Sequence, residues 1–262
     1  MRRALTAAQA LVTVLMSLFL LVPTLMSMAA GVTDNYFGGW RSGFTLRWLA
    51  QVWDLYSDAI FLSLRIAVVT LLIVLVLGVP AAYALSRSGR RLARLVEGLL
   101  VLPVAVPGLA SALGLLVVYG GVTAFRVSWW FIVVGHVIFT LPFMVRSVAA
   151  VCRSQDLKTL EEGAASLGAG FAQRFASVVL PNIRSGILAG ALTVVTLSIG
   201  EFNLTWMLHT PLTKTLPVGL ADAYASMRLE VGSAYTLVFF VMIVPLLVWM
   251  QTIGRHEKGA VR

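Results

Sequence analysis

Apolar residues run along this chain in long blocks, and polar residues gather in the gaps between them. Six blocks are long enough to cross a hydrocarbon core of roughly 30 Å, which takes about 20 helical residues. They cover residues 11–30, 59–85, 95–120, 129–150, 183–209 and 233–252. A backbone in lipid must satisfy its own hydrogen bonds, so each block predicts a helix and not an isolated strand. Pro80, Pro103, Pro107, Pro142 and Pro245 fall inside these blocks. Each removes one backbone donor and shapes its helix. The pair in Leu102-Pro103-Val104-Ala105-Val106-Pro107 is the best candidate for a hinge. Between the first two blocks lies a segment rich in rings: Trp40, Trp48, Trp53, Tyr36, Phe37 and Phe44. Amphipathic rings prefer the membrane interface, and a separate interfacial helix is predicted near residues 45–56.

The gaps sort by charge. One set carries Arg2, Arg3, Arg87, Arg90, Arg91, Arg94, Arg153, Lys158, Arg174, Arg184, Arg255, Lys258 and Arg262, with Arg146 joining them. The other carries Arg41, Arg47, Arg126, Lys214 and Arg228. Lys and Arg concentrate on the cytoplasmic side. Both termini and the gap between the fourth and fifth blocks are therefore predicted to be cytoplasmic. Arg65 sits inside the second block, where its side chain could snorkel outward. Reading the N-terminus as a cleaved signal peptide, with Ser27-Met28-Ala29 as the cleavage site, is less favoured. The apolar run is about 20 residues, long for such a segment, and it contains Pro23.

The gap from Leu160 to Gly186 is the polar anomaly. Thr159 and Glu162 have the form of a capping box. Leu160, Ala164 and Leu167 recur at helical spacing, and Gly168 stands where a helix C-terminal glycine is expected. A second short helix should begin near Phe171, with Phe171, Phe175, Val178 and Val179 on one face and Gln173, Arg174 and Ser177 on another. Pro181 should interrupt or restart the chain before the fifth block. Two short amphipathic helices around Gly168–Gly170 would let a partner approach the backbone. An ordinary hairpin packed on its own bundle is the other reading.

Composition agrees with the blocks. The chain has 262 residues, 59% hydrophobic and 12% charged, against about 25% charged in soluble domains. The net charge of +9 is spread between apolar runs, so it argues topology and not nucleic-acid binding. The lone cysteine, Cys152, excludes an internal disulfide, and no metal-ligand spacing appears. Lys158 and Lys214 precede threonines, but Leu157 and Thr213 stand where a P-loop needs glycine. The chain is not expected to hydrolyse ATP. Glu201 is the one acid well inside a block, a functional candidate by default, with Asn203 and Trp206 beside it as translocation-path candidates. A structural hydrogen bond is the competing role for Glu201. His136, alone in the fourth block, reads as a satisfied interhelical hydrogen bond, whereas His209 and His256 read as boundary residues.

The segment Glu162-Gly163-Ala164, Gly168, Val178-Val179-Leu180-Pro181 resembles the EAA signature of permease subunits in binding-protein-dependent ABC importers. That pattern is Glu-Ala-Ala, three residues, Gly, nine residues, then Ile-x-Leu-Pro. The spacing is kept throughout, with Gly163 for the first Ala and Val178 for Ile. The resemblance covers most of the chain from about residue 58. The stretches around Glu201 and Leu216 are similar to the branch importing polyamines, aminoethylphosphonate, ferric iron or thiamine.

The resemblance implies an all-α membrane protein with six transmembrane helices and the type I importer permease fold. It implies one permease domain over residues 1–262, with a core of roughly 58–254 and a cytoplasmic coupling segment of 154–182. Coupling would fall to Glu161, Glu162, Gly163, Ala164, Gly168, Ala169, Gly170 and Pro181. The implied partners are ATP-binding subunits that hold ATP and Mg, a second homologous permease (heterodimer favoured), a periplasmic or extracellular substrate-binding protein, and membrane lipid. This chain would carry no cofactor and no catalytic or metal site, and would lie in the bacterial inner membrane. The cargo would be a small polar solute such as a polyamine or aminoethylphosphonate. An autonomous secondary transporter or channel would show more charged pairs in its spans or an internal repeat. A membrane enzyme would show an acid–base constellation. Neither pattern stands out.

Overall fold

The computed structural model describes residues 2–88 and 91–259, without the side chains of residues 2–4, 7, 94 and 253–259. Arg90 and Arg262 therefore lie outside the described residues, as do the side chains of Arg2, Arg3, Arg94, Arg255, His256 and Lys258. The described chain is built of helices. In order they are α1 (Arg2–Ala30), a 3₁₀ turn (Gly39–Ser42), α2 (Arg47–Arg87), α3 (Arg91–Ala105), α4 (Gly108–Tyr119), α5 (Thr123–Arg126) and α6 (Trp129–Ser154). Then follow α7 (Leu157–Ser166), α8 (Phe171–Arg174), a π turn (Phe175–Val179), α9 (Leu180–Gly200), α10 (Asn203–Leu208), α11 (Leu216–Ala225) and α12 (Leu229–Gly259). Five stretches are long and apolar enough to span a membrane: Ala8–Ala30, Arg47–Arg87, Trp129–Ser154, Phe171–Gly200 and Leu229–Thr252. Helices α3 and α4 pass the same test together, as a broken span or a re-entrant loop.

Three differences from the sequence expectation bear on the spans outside the hairpin. First, α2 runs unbroken for 41 residues, about 60 Å at 1.5 Å per residue. The interfacial helix predicted near residues 45–56 is its first turns and not a separate element. Nothing between Arg47 and Ser57 breaks a helix, so the helix is continuous through this segment. Second, the third apolar block bends by 102° between α3 and α4. Pro107 makes the break and Pro103 does not. Pro103 sits inside α3, whereas Pro107 is the N-cap of α4 at φ −53°, ψ 136°. Proline also pushes its predecessor, Val106, out of the helical region. Third, the fifth span ends at Gly200, because Glu201 adopts an extended conformation (ψ 119°) before α10 begins.

The chain divides into two compact units, residues 1–58 with 219–243 and residues 59–218 with 244–262. In the first unit the aromatic segment folds on itself. Thr33 bridges Phe44, the Trp48 indole N–H donates to the Thr33 carbonyl at 2.9 Å, and Arg47 covers the Trp48 ring. The Glu230 carboxylate accepts from the Tyr36 N–H, and Tyr56 stacks on Tyr235.

The second unit holds the core. Its centre is the packing of α6 against α9. Gly186 and Gly190 stand one turn apart on the packed face of α9, a small-xxx-small spacing that lets helix backbones approach. A Cβ on Gly186 would lie 3.0 Å from the Ser147 carbonyl oxygen and 3.1 Å from the Val148 Cα. The Ser147 hydroxyl donates to the Gly186 carbonyl at 2.9 Å across this contact. Val74, Met144, Val148, Val179, Ile183 and Val194 belong to the buried cluster around it. Arg65 lies over the Trp129 ring at 4.6 Å, which gives its charge a partner at the start of α6.

Candidate functional site: the α7–α9 hairpin

The hairpin begins with a cap, though not the one the sequence suggested. Helix α7 starts at Leu157, and Asp156 is its N-cap, accepting from the Thr159 N–H at 3.3 Å. Thr159 is therefore inside the first turn, and the Thr159–Glu162 capping box is not formed. Aspartate is a better cap than threonine and also complements the helix dipole. The hydrogen bonds to Thr159 hold the Asp156 carboxyl below the usual range. A carboxylate with a lowered pKa stabilises at pH above its unfolded value, and the contribution fades as pH falls through the folded one. Asp156→Ala should therefore speed amide exchange of residues 157–159 at neutral pH. Asp156→Asn should largely spare them, and the difference between wild type and Asp156→Ala should vanish in acid.

The C-terminal end follows the sequence expectation. Gly168 has φ +85°, a conformation that glycine adopts without strain. Its N–H donates to Ala165, and the Ala169 N–H donates to Ala164, the paired bonds of a Schellman turn. Gly163, Gly168 and Gly170 have nothing within 4 Å of where a side chain would begin. Gly170 then starts α8 in an extended conformation.

Pro181 does not stop the chain. The second short helix passes through the π turn directly into α9, so residues 171–200 form one span. Proline lacks the N–H that would reach back four residues, and a π turn absorbs that local mismatch. The Asn182 side-chain amide donates to the Val178 carbonyl at 2.7 Å, further tying this turn.

The hairpin's faces are inverted in one respect. Leu160, Leu167 and Phe171 are exposed, at 48%, 89% and 63%. The inward positions of α7 are Leu157 and Glu161, the latter only 2% exposed. Glu161 meets two residues one turn apart on α2. The Tyr83 hydroxyl donates to its Oε2 at 2.7 Å, Arg87 forms an ion pair with its Oε1, and the Arg87 guanidinium donates to the Tyr83 hydroxyl at 2.9 Å. Phe175 of the π turn packs edge-on against Tyr83. Glu162 points outward beside Lys158.

A second polar cluster lies where α9 ends. The Glu201 carboxylate accepts from the Leu204 N–H, the Thr205 N–H and the Thr205 hydroxyl, all at 2.8 Å. Its side chain is 9% exposed. It thus caps α10, whose own preceding residue, Phe202, makes no side-chain cap. His136 bonds Ser198 through Nδ1 and Thr205 through Nε2, both at 2.8 Å, the satisfied interhelical role expected of it. Asn203 and Trp206 lie on the exposed face of α10, with Trp206 packed between Phe202 and His209. Among the described residues no group of three or more His, Cys, Asp and Glu could hold a metal.

Sequence reasoning missed three things here: the Tyr83–Arg87–Glu161 cluster, the Asp156 cap and the glycine contact of α6 with α9. The last had a readable signal, since Gly186 and Gly190 form a Gly-xxx-Gly pair in an apolar run.

Comparison with known proteins agrees with this architecture. A 2-aminoethylphosphonate transport system permease protein, PhnV, of Salmonella typhimurium is 26% identical over 252 residues, covering 95% of each chain. The molybdenum transport system permease protein ModB of Escherichia coli is 28% identical, covering 77% of this chain and 96% of the relative. The spermidine/putrescine permease protein PotC of Escherichia coli is 25% identical over 92% of both. A chain of a bacterial ABC transporter that imports the acidic polysaccharide alginate shares the fold, with a TM-score of 0.76, 16% identity, and coverage of 97% of this chain and 96% of that one. Residues 74–258, from within α2 through α12 and including the whole hairpin, match the model of one family, so the chain belongs to the inner membrane components of binding-protein-dependent transport systems.

Proposed function

We propose that this permease forms half of the translocation pathway of an ATP-driven importer, and that the α7–α9 hairpin is where a separate ATPase subunit grips it. The observation that carries this reading is the exposed apolar set Leu160, Leu167 and Phe171, grouped around a glycine turn with open space about it. Apolar side chains grouped this way outside the predicted hydrocarbon zone suit a protein partner. The charge asymmetry of the loops supports a cytoplasmic hairpin and cytoplasmic termini. ATP and Mg would sit on the partner, and an external binding protein would deliver the cargo. The pathway would be completed by a second permease, a homologue in preference to a copy.

The cargo we favour is a small polar solute of the polyamine or aminoethylphosphonate kind, the cargoes named for two of the relatives. Asn203 and Trp206 are the residues we assign to the path. Glu201 would support them from behind, because its carboxylate is committed to capping α10. Glu201→Gln should leave the apparent affinity for cargo within about twofold while lowering stability by roughly 1–3 kcal/mol, the scale of losing hydrogen bonds to a charged acceptor. Uptake kinetics and thermal midpoints check both. A large change in apparent affinity without destabilisation would place Glu201 on the path itself.

The reading as a whole is tested by co-purification with a candidate ATPase subunit and by uptake into proteoliposomes. Uptake should need the ATPase, ATP and the binding protein together. Cargo movement by this chain alone would point instead to an autonomous transporter or channel.

A further inference from the structure

We infer that Tyr83, Arg87 and Glu161 form a latch that makes the hairpin and the end of α2 move as one body, so Glu161 is a positioning residue inside the permease and not a contact to the ATPase. The inference rests on the docking reading above and adds the route by which docking reaches a span. Glu161 is 2% exposed, so no partner can reach it without opening α7. Its two oxygens face two donors that stand four residues apart on one helix face. The Arg87 guanidinium also bonds the Tyr83 hydroxyl, which closes a three-member ring of charge-assisted contacts.

A carboxylate taken out of water is costly unless paired, and breaking such a pair costs far more than exchanging it for apolar packing. Apolar contacts can slide past one another, but this cluster has one geometry in which every charge is met. The Phe175 ring against Tyr83 and the burial of Leu157 and Val179 in the same cluster tie both limbs of the hairpin to α2. A push on Leu167 or Phe171 would therefore move α2 as well as α9.

The test uses the whole transporter in proteoliposomes and reads three quantities: ATPase co-purification, ATP hydrolysis stimulated by the binding protein, and uptake. Glu161→Gln should keep ATPase co-purification near the wild-type level and retain hydrolysis, while uptake per ATP falls by about tenfold or more, the usual scale of a coupling effect. The exchange Arg87→Glu with Glu161→Arg should recover a substantial part of that loss, which a direct contact of Glu161 to the ATPase would not allow. Should Glu161→Gln fail to accumulate in the membrane, Tyr83→Phe carries the test, since it removes one hydroxyl and keeps the ring. Loss of ATPase co-purification in Glu161→Gln or Tyr83→Phe would overturn the latch and make Glu161 a docking contact, with the docking reading intact. Unchanged uptake per ATP in both would also overturn it. Failure of the docking reading appears separately, as normal co-purification and uptake in a Gly168→Asp permease.

Discussion

Gly186→Leu should yield no stable permease. At Gly186 an added Cβ alone lies 3.0–3.1 Å from main-chain atoms of Ser147 and Val148 on α6, and 2.9 Å from Val151 Cγ2. The main-chain atoms cannot rotate away as a side-chain tip can, so helices α6 and α9 must separate. Separation would break the Ser147–Gly186 bond and open the cluster around Met144, Val148 and Ile183. Overpacking costs about 1–3 kcal/mol in an ordinary core, and a clash against backbone belongs at or beyond the top of that range. The expected result is loss of monodisperse protein in detergent and a fall in thermal midpoint too large to leave a cooperative transition. Gly163→Ala is the contrasting change. That glycine lies inside α7, exposed, with nothing within 4 Å, so alanine should stabilise the helix by roughly 0.5–1 kcal/mol.

The second large effect is confined to function. Gly168→Asp should leave the permease folded and inserted while abolishing ATPase co-purification and uptake. The φ of +85° strains any side chain by about 1–2 kcal/mol, and aspartate is among the residues that tolerate that region best. The site is open, so folding pays little. Docking would lose much more, because a carboxylate would be covered at the centre of the exposed apolar set without a partner. An uncompensated buried charge costs about 3–5 kcal/mol, which is a weakening of roughly a hundredfold or more. Gly168→Asn separates the two causes: it shares the backbone strain but carries no charge, and should retain most docking. Normal co-purification and uptake in Gly168→Asp would remove the hairpin from coupling.

The two glycines show what kinds of information a sequence holds. Gly168 was legible because its requirement is local. A helix pattern ending in glycine implies the left-handed turn wherever the helix lies. The spans were legible for a similar reason, since membrane crossing depends on the length and apolarity of a contiguous run. The break at Pro107 and the passage through Pro181 were only half legible. Proline announces a missing donor, but the neighbouring backbone decides whether the chain bends, as at Val106, or absorbs the mismatch in a π turn, as at Ser177.

Read alone, the sequence determined the helical membrane class, the number of spans within one broken pair, the place of the hairpin and its spacing from Glu162 to Pro181. Only the tertiary structure decided which side of α7 faces inward. Leu160 and Leu167 look like the buried face by composition, and Glu161 looks like the exposed one. The reverse holds because Tyr83 and Arg87, 78 and 74 positions earlier in the chain, meet Glu161 with a hydrogen bond and an ion pair. Glu201 differs, because its three donors belong to Leu204 and Thr205, three and four positions ahead, so its carboxylate is held by a local cap. Burial of the Glu161 charge depends on who meets it, and that meeting across 78 positions is a property of three-dimensional contact that no local pattern carries.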